Sequence, residues 1–241
     1  MKIMKPRNIV ILTGSGISAE SGIATFRDPD GVWAKYDYQE VATPEGFAKN
    51  PALVHEFYNK RRAGLTEASP NAAHIALAKL EEHLASCDGT CTLVTQNVDD
   101  LHERGGSKHL LHMHGELTKI RCEYCGSVEQ TTKDISTKTK CENCDAVGGM
   151  RPDIVWFGEM PKFLDEIELA LQEADLFVSI GTSGAVYPAA GMVSQARALG
   201  IDAIELNLEK SENAHLFTEG RYGPAGVVVP KWVNELIGAK G

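Results

Sequence analysis

"ILTGSGISAESGI", residues 11–23, is the stretch that decides the fold class. An apolar strand ends at Leu12, and the pattern Gly14-x-Gly16-x-x-Ala19 then predicts a tight turn that opens a helix. Glycines at such a turn let the backbone approach a pyrophosphate, and the N–H groups at a helix start attract its negative charge. Small residues at a strand–helix turn also serve packing alone, so the motif by itself leaves both interpretations open.

The segment after this motif weighs against a dehydrogenase. Such an enzyme carries an Asp or Glu about 20 residues further on, at the end of its second strand, to hold a ribose hydroxyl. Here the corresponding stretch is ATFRDPDGVWAKYD, residues 24–37, which has the composition of a loop. We therefore expect that this segment is a long loop lying near the nucleotide, and that the protein is not an ordinary Rossmann-fold dehydrogenase.

Apolar, β-branched runs recur along the chain and predict strands at 8–14, 91–97, 109–115, 175–183, 202–209 and 226–230. Their near-continuous apolar character indicates burial on both faces. Helical patterns lie between several of them, as in NAAHIALAKLEEHLAS, residues 71–86. The predicted fold class is α/β, with a doubly wound, Rossmann-like parallel sheet and an inserted small zinc-binding and helical domain.

The domain boundaries follow from two regions that break this rhythm. Residues 34–71 carry no strand signal and look helical, and residues 116–150 are polar and hold four paired cysteines. We predict that these two regions form the small domain. The Rossmann-like domain then consists of residues 1–33, 72–115 and 151–241.

The paired cysteines predict a metal site. Their spacing is Cys122-x2-Cys125-x15-Cys141-x2-Cys144, which closes a tetrahedral four-thiolate site of the kind that zinc occupies. No coordination position is left open, so we expect one structural zinc. Such a ribbon can bind nucleic acid, but the charge around it is mixed.

Composition restricts the partners and the location. The chain has 241 residues and a formal net charge of −9, which disfavours nonspecific binding to nucleic acid. The apolar runs are strand-sized, which argues against a membrane span, and the basic N-terminus lacks the features of a signal peptide. We expect a cytoplasmic protein and, without an obvious surplus of exposed apolar residues, a monomer.

Polar residues follow several predicted strands, where an open α/β sheet binds its ligands. They include Asn97, Asp99 and Asp100 after the second strand, His114 at the end of "LLHMHGE", and the small hydroxyl residues of GTSGAVYP at 181–188. A helix cap accounts for one of the first three but not for all of them. His112 and His114 are predicted to share one strand face, and a neutral imidazole at this edge suits general-base work.

The helix LVHEFYNKRR, residues 53–62, carries a misplaced charge. At 100° per residue, Arg61 falls in the middle of the face formed by Val54 and Phe57. Arg62 falls at the edge of this face, and Lys60 falls on the far side. An Arg among apolar residues is costly unless it is paired, reaches water or faces a pocket that needs a cation.

Taken together, TGSGISAESGIATFR, TQNVDDLHE, HMHGE, the cysteine pairs, VWFGEMP, GTSGAVYPAAG and ELNLE resemble the sirtuins, NAD-dependent protein-lysine deacylases. The resemblance runs in order from about residue 8 to residue 230, and FYNKRR is similar to the bacterial class III group. One departure is Ser15, where alanine is usual.

The resemblance implies roles for many residues. It makes His114 the catalytic base and Asn97 the residue that orients the ribose and a water. It places Tyr58 and Arg61 on the carboxylate of an acidic acyl chain, and pairs an extended peptide with Val155, Trp156, Phe157, Gly158 and Glu159. It gives NAD contacts to Gly14, Ser15, Gly16, Ile17, Ser18, Ala19, Phe26, Arg27, Trp33, Gln96, Asn97, Val98, Asp99, Gly181, Thr182, Ser183, Asn207, Leu208, Glu209 and Ala225.

The expected activity is removal of acetyl, succinyl and malonyl groups from lysine in acylated peptides. NAD is consumed as co-substrate, and nicotinamide and O-acyl-ADP-ribose are released. Two alternatives stay open at this point. One is an NAD glycohydrolase or ADP-ribosyltransferase on the same scaffold, and the other is a non-catalytic, NAD-sensing zinc module.

Overall fold

The computed structural model describes residues 6–25 and 36–238. The strands in these ranges are Asn8–Thr13 (β1), Thr90–Thr95 (β2), Leu110–His112 (β3), Gly115–Cys122 (β4), Val128–Gln130 (β5), Met150–Ile154 (β6), Leu176–Ile180 (β7), Asp202–Asn207 (β8) and Glu219–Tyr222 (β9). The α-helices are Tyr38–Val41 (α1), Pro44–Lys49 (α2), Pro51–Leu65 (α3), Ala72–Ala85 (α4), Leu101–Arg104 (α5), Leu164–Gln172 (α6), Met192–Ala198 (α7) and Ala225–Ile237 (α8). None of these helices is long and apolar enough to cross a membrane.

The larger sheet has six parallel strands in the order β3-β2-β1-β7-β8-β9. β1 lies at the centre, with β2 and β3 on one side of it and β7, β8 and β9 on the other. The predicted doubly wound α/β fold is therefore confirmed. A sheet of this kind has a crevice between the loops that follow β1 and β7, where its strand order reverses.

Both faces of β1 are buried, which explains its unbroken apolar sequence. Ile9 and Ile11 belong to one core cluster, which includes residues of α4 and α8. Val10 and Leu12 belong to the cluster on the other face, which includes residues of α6 and α7. Full burial of one such side chain contributes about 1.5–3 kcal/mol, so a polar substitution in β1 would weaken the layer that this side chain faces.

The smaller sheet has the order β5-β4-β6 and is antiparallel. A third core cluster joins it to the helices before it and includes Val54, Phe57, Leu117 and Trp156. β6, at Met150–Ile154, belongs to this sheet, although the predicted boundary places residues 151–154 in the larger domain. The division into two domains otherwise stays a prediction.

The strand predicted at 226–230 is wrong, because this stretch lies in α8. Val229, Trp232 and Val233 are its buried residues, at the spacing of one helix face. The β-branched residues thus pack as a helix against the larger sheet. The strand at that edge is β9, whose residues are mostly exposed and which has no apolar run.

The helix predicted to open after Gly14 is also wrong. Two short 3-10 helices, Ser15–Ile17 and Ala19–Ser21, follow β1, and Gly22 ends the second with a φ of 85°. The backbone N–H of Gly16 donates to the carbonyl of Gly181 at 2.9 Å. A Cβ on Gly16 would lie 2.7 Å from the Gly181 Cα atom, so glycine is needed here for the contact between the two loops.

Candidate active site

Most of the predicted site residues lie at one edge of the larger sheet. Because its strands are parallel, the segments after β1, β2, β3, β7 and β8 emerge on the same side. These segments hold Gly14, Ser15, Gly16, Ile17, Ser18 and Ala19 after β1, Gln96, Asn97, Val98 and Asp99 after β2, His114 after β3, Gly181, Thr182 and Ser183 after β7, and Asn207, Leu208 and Glu209 at and after the end of β8. Phe26, Arg27 and Trp33 lie outside the described residues.

A buried polar cluster joins the loops after β1 and β2. Ser18 Oγ donates to Asp99 Oδ2 and accepts from Asn97 Nδ2, each at 3.1 Å. His74 Nδ1 accepts from the backbone N–H of Asn71 at 3.2 Å, so the neutral ring carries its proton on Nε2, 3.4 Å from Ser18 Oγ. Burial lowers the pKa of His74 to about 4, which keeps this ring neutral at pH 7. The cluster therefore holds the Asn97 amide in one orientation.

His114 has the geometry of a base. Its Nδ1 lies 3.2 Å from the backbone carbonyl of Gln96, which can only accept, so Nδ1 carries the proton and Nε2 keeps its lone pair. Burial lowers the pKa of His114 below its usual 6.5, which favours the neutral ring at pH 7. β3 ends at His112, so the predicted strand face shared by the two histidines is wrong.

His112 is a residue of the site to which sequence reasoning gave no role. Its Nδ1 lies 3.1 Å from the backbone carbonyl of Asn97, and its Nε2 lies 2.8 Å from Glu103 Oε1. Burial lowers the pKa of His112, but the hydrogen bond and charge of Glu103 outweigh this effect and raise it overall. An acceptor thus lies beside each ring nitrogen, which favours the doubly protonated ring. No sequence signal beyond the His-x-His spacing indicated this pairing.

The adenosine end that the resemblance implies lies across β8 and α8. Asn207 Nδ2 donates to the backbone carbonyl of Thr182 at 2.7 Å, which ties the segments after β7 and β8 together. Ala225 is the first residue of α8, and the next N–H, of Gly226, donates to Glu20 Oε2 at 2.6 Å. The loop after β1 is thus also tied to α8.

The donor set at this edge fits a dinucleotide. The backbone segments after β1 and β7 are closely packed. A Cβ on Gly14 would lie only 2.8 Å from the Gly181 carbonyl oxygen, so no larger residue fits there. Hydroxyl groups of Ser15, Thr182 and Ser183 are half-buried beside this contact. Hydroxyls, amides and closely packed glycine backbone are the groups that hold phosphate and ribose in such crevices.

Arg61 lies at the apolar face of α3, as the helical wheel predicts. Its guanidinium carbon is 5.6 Å from the centre of the Phe57 ring and 5.7 Å from the centre of the Tyr58 ring. Arg61 is half-buried, and burial lowers its pKa, an effect that its interactions with Tyr58 and Asp99 only partly oppose. The Arg61 guanidinium thus lies near two aromatic rings on the apolar face of α3.

Arg62 is more deeply buried than the 100° spacing of the helix predicts. The prediction that it lies at the edge of the apolar face is wrong. It is only 3% exposed. Its Nε donates to the Leu117 carbonyl at 2.7 Å, and its Nη1 donates to Asn59 Oδ1 at 2.9 Å and to the Lys133 carbonyl at 3.3 Å. The wheel describes one helix, whereas these acceptors belong partly to β4 and to the segment after β5.

The predicted peptide segment, Val155–Glu159, follows β6 and lies beside the histidine. The Val155 N–H donates to the His114 carbonyl at 2.9 Å, and the Phe157 N–H donates to the Ala42 carbonyl at 3.0 Å. Trp156 is buried, whereas Phe157 and Gly158 are exposed. The segment thus holds its position through its own N–H groups and leaves the Phe157–Gly158 turn on the surface.

The four paired cysteines come together as the spacing predicts. One ligand atom from each lies within 4.8 Å of the others. The Sγ atoms of Cys122 and Cys144 are 3.7 Å apart, as are those of Cys125 and Cys141. A tetrahedral site with zinc–sulfur bonds of about 2.3 Å has edges of about 3.8 Å, close to these two sulfur–sulfur distances, so the four thiolates fit one zinc ion.

Comparison with known proteins gives one consistent result. A family model described as the Sir2 family matches residues 14–188. An NAD-dependent protein deacylase of Caulobacter vibrioides is 59% identical over 229 residues, which are 95% of this chain and 96% of the relative. A protein of the same description from Leishmania major is 55% identical over 234 residues, 96% of each chain.

Solved structures agree with these relatives. A Sir2 homologue in complex with NAD has a TM-score of 0.87 and 37% identity, and the match covers 97% of this chain and 91% of the other. A Sir2 protein bound to an acetylated peptide has a TM-score of 0.81 and 30% identity, with coverage of 98% and 95%.

Proposed function

From the premise that this chain belongs to the Sir2 family and is an NAD-dependent protein deacylase, we propose that it removes succinyl and malonyl as well as acetyl groups from lysine. The observation that carries this acyl range is Arg61, a cation held against Phe57 and Tyr58 on the apolar face of α3. An acetyl group gives such a cation nothing to bind, whereas a distal carboxylate accepts its paired N–H groups. The products are free lysine, nicotinamide and O-acyl-ADP-ribose.

The residues at the edge of the larger sheet position NAD and move a proton during the reaction. NAD supplies an electrophilic ribose carbon and nicotinamide as the leaving group. His114 accepts a proton at Nε2, because its Nδ1–H is held by the Gln96 carbonyl. Asn97, held by Ser18, orients a ribose hydroxyl and a water. Position matters more than activation here, because an amide oxygen is a weak nucleophile.

The peptide that carries the acyl-lysine binds along the segment after β6. The exposed Phe157–Gly158 turn and the half-buried Val155 support an extended peptide beside His114. We further propose that the protein acts as a monomer in the cytoplasm and that its partners are acylated proteins rather than nucleic acid or membranes. Its net charge of −9 supports the exclusion of nucleic acid.

The test is a kinetic comparison of one peptide in acetyl-, malonyl- and succinyl-lysine forms, with NAD and with mass spectrometry of the products. We expect O-acyl-ADP-ribose from each acyl form. Turnover of the acetyl peptide alone would refute the acidic acyl range. Release of nicotinamide at the same rate without any peptide would favour a glycohydrolase.

A further inference from the structure

We propose that Trp156 is a positioning residue for acidic acyl groups, because its indole N–H fixes the direction in which the Tyr58 hydroxyl donates. This inference rests on the proposed function, in which Tyr58 and Arg61 bind the distal carboxylate of the acyl chain. It changes the role of Trp156, which the resemblance assigns to contact with the peptide.

The contact between the two side chains is buried. Trp156 is 2% exposed and Tyr58 is 1% exposed. Trp156 Nε1 lies 2.9 Å from the Tyr58 hydroxyl oxygen. An indole N–H can only donate, so the phenol oxygen must accept, and the phenol hydrogen takes no part in this bond.

The phenol hydrogen is left for another acceptor. Within residues 6–25 and 36–238, the indole of Trp156 is the hydrogen-bond partner that the structure gives to the Tyr58 hydroxyl. A buried donor without an acceptor is costly, and the Arg61 guanidinium beside the ring is itself a donor. An incoming acyl carboxylate accepts from both groups, whereas the methyl end of an acetyl group accepts from neither.

The indole is held firmly enough to direct this hydroxyl. The Arg151 guanidinium carbon lies 3.2 Å from the centre of the Trp156 ring. Glu159 fixes both partners, because it accepts from Arg151 Nη1 at 2.8 Å and Nη2 at 3.0 Å and from the Trp156 backbone N–H at 2.8 Å. From α2, the Phe47 ring also packs near the indole, with 5.3 Å between the ring centres.

The arrangement favours acidic acyl groups in two ways. A phenol oxygen that accepts a hydrogen bond polarises its own O–H, which makes it a stronger donor. A fixed indole also removes the rotational freedom that the hydroxyl would otherwise lose when the carboxylate binds. Loss of the indole N–H should therefore lower the preference for succinyl over acetyl peptide roughly threefold to tenfold, the range of one neutral hydrogen bond.

The first test is Trp156→Phe, which keeps an aromatic ring beside Arg151 and removes the N–H. We expect the ratio of kcat/KM for succinyl to that for acetyl peptide to fall roughly threefold to tenfold. The control is Trp232→Phe, which alters a buried tryptophan of α8 and should keep the ratio of the parent protein. A ratio in Trp156→Phe equal to that of the parent would overturn the inference.

A double-mutant cycle separates a directed hydroxyl from general damage to the fold. If Trp156 acts through the Tyr58 hydroxyl, Trp156→Phe will change the ratio in the parent but not in a Tyr58→Phe background. Equal changes in both backgrounds would mean that the indole acts by packing alone. If instead the parent protein does not turn over acidic acyl peptides, the proposed acyl range itself fails. That outcome is distinct from a failure of the Trp156 inference alone, in which the parent turns these peptides over but Trp156→Phe keeps the parent's ratio.

A measurement on the parent protein does not depend on how the variants fold. The chain has three tryptophans, so a ¹⁵N-resolved spectrum contains at most three indole signals. Binding of succinyl-lysine peptide should shift the Trp156 indole proton, because the carboxylate polarises the hydroxyl that this proton contacts. The acetyl-lysine peptide should shift it much less, and equal shifts would contradict the inference.

Discussion

His112 and His114 are two positions apart but have pKa shifts of opposite sign. Burial lowers the pKa of His114, and its one hydrogen bond, to the Gln96 carbonyl, only partly opposes this. Burial also lowers the pKa of His112, but the adjacent Glu103 carboxylate raises it overall. The pattern HMH gives the residue types, whereas the neighbours decide which ring has the lowered pKa of a base and which has a raised pKa.

The pH dependence of turnover follows from His114. A base must be unprotonated, and burial lowers the pKa of His114 from its usual 6.5, so the fall of kcat/KM toward acid should have its midpoint below pH 6.5. His114→Ala should lower kcat by roughly 10²–10⁴-fold while NAD still binds, as measured by calorimetry. His215→Ala, at an exposed histidine, is the control, and a fall centred above pH 6.5 in the parent would contradict this assignment.

Arg61 gives the residue-scale prediction for the acyl pocket. Arg61→Met should lower kcat/KM for succinyl peptide, by an amount that corresponds to a loss of about 2–4 kcal/mol in transition-state stabilisation, because a charged hydrogen bond to the carboxylate is lost. Deacetylation should change far less. Lys60→Met is the matched control, since Lys60 lies on the same helix with an exposed side chain that pairs with Glu56. An equal loss of both activities in Arg61→Met would refute the pocket.

At the scale of the element, α3 places three consecutive cations in three environments. Lys60 is exposed, Arg61 lies against aromatic rings, and Arg62 is buried with backbone carbonyls as acceptors. One helix therefore contributes both to the proposed acyl pocket and to the join between the helical segment and the smaller sheet.

Arg62→Met should destabilise the protein without acting on the acyl preference. It leaves the Leu117 carbonyl without its bond to Nε, and the side chain is buried, so we expect a loss of about 1–3 kcal/mol in the free energy of unfolding. Urea unfolding measures this, with Lys60→Met again as the control. Unchanged stability, or a selective loss of desuccinylation, would contradict the structural role.

At the scale of the whole molecule, β4 connects the candidate active site with the four cysteines. It begins at Gly115, next to His114, and ends at Cys122. Gly115 needs its φ of 80°, and a Cβ there would lie 2.0 Å from the Asp153 carbonyl oxygen. The zinc site thus anchors the far end of the strand whose near end follows the proposed base.

Zinc removal should loosen the smaller sheet before the larger one. Metal analysis should give one zinc per chain, and chelation should speed amide exchange in β4 and β5 while β1 and β2 stay protected. Deacylase activity should fall in parallel. Cys87→Ser, at an exposed cysteine outside the cluster, should retain the metal and normal exchange. A metal-free protein with unchanged exchange would rule out the structural role.

Patterns with a strong local cause were predictable. The buried parallel strands appear in the apolar runs, and the four cysteines come together as their spacing requires. The short strands β5 and β9 were not found, because their residues carry no apolar period. The run at 226–230 was assigned to a strand because β-branched residues favour strands, but its buried side chains follow a helical spacing against the larger sheet.

By itself, the sequence determined the α/β class, the four-thiolate site, the edge at which the polar residues gather, and the anomaly at Arg61. These depend on periodicity, spacing and strand ends, which are local properties of the chain. Only the tertiary structure decided that Arg62 is the more deeply buried cation, that Glu103 raises the pKa of His112, and that the Trp156 indole donates to the Tyr58 hydroxyl. Each of these depends on a contact between distant segments, where burial and hydrogen-bond partners are set by packing rather than by neighbours in sequence.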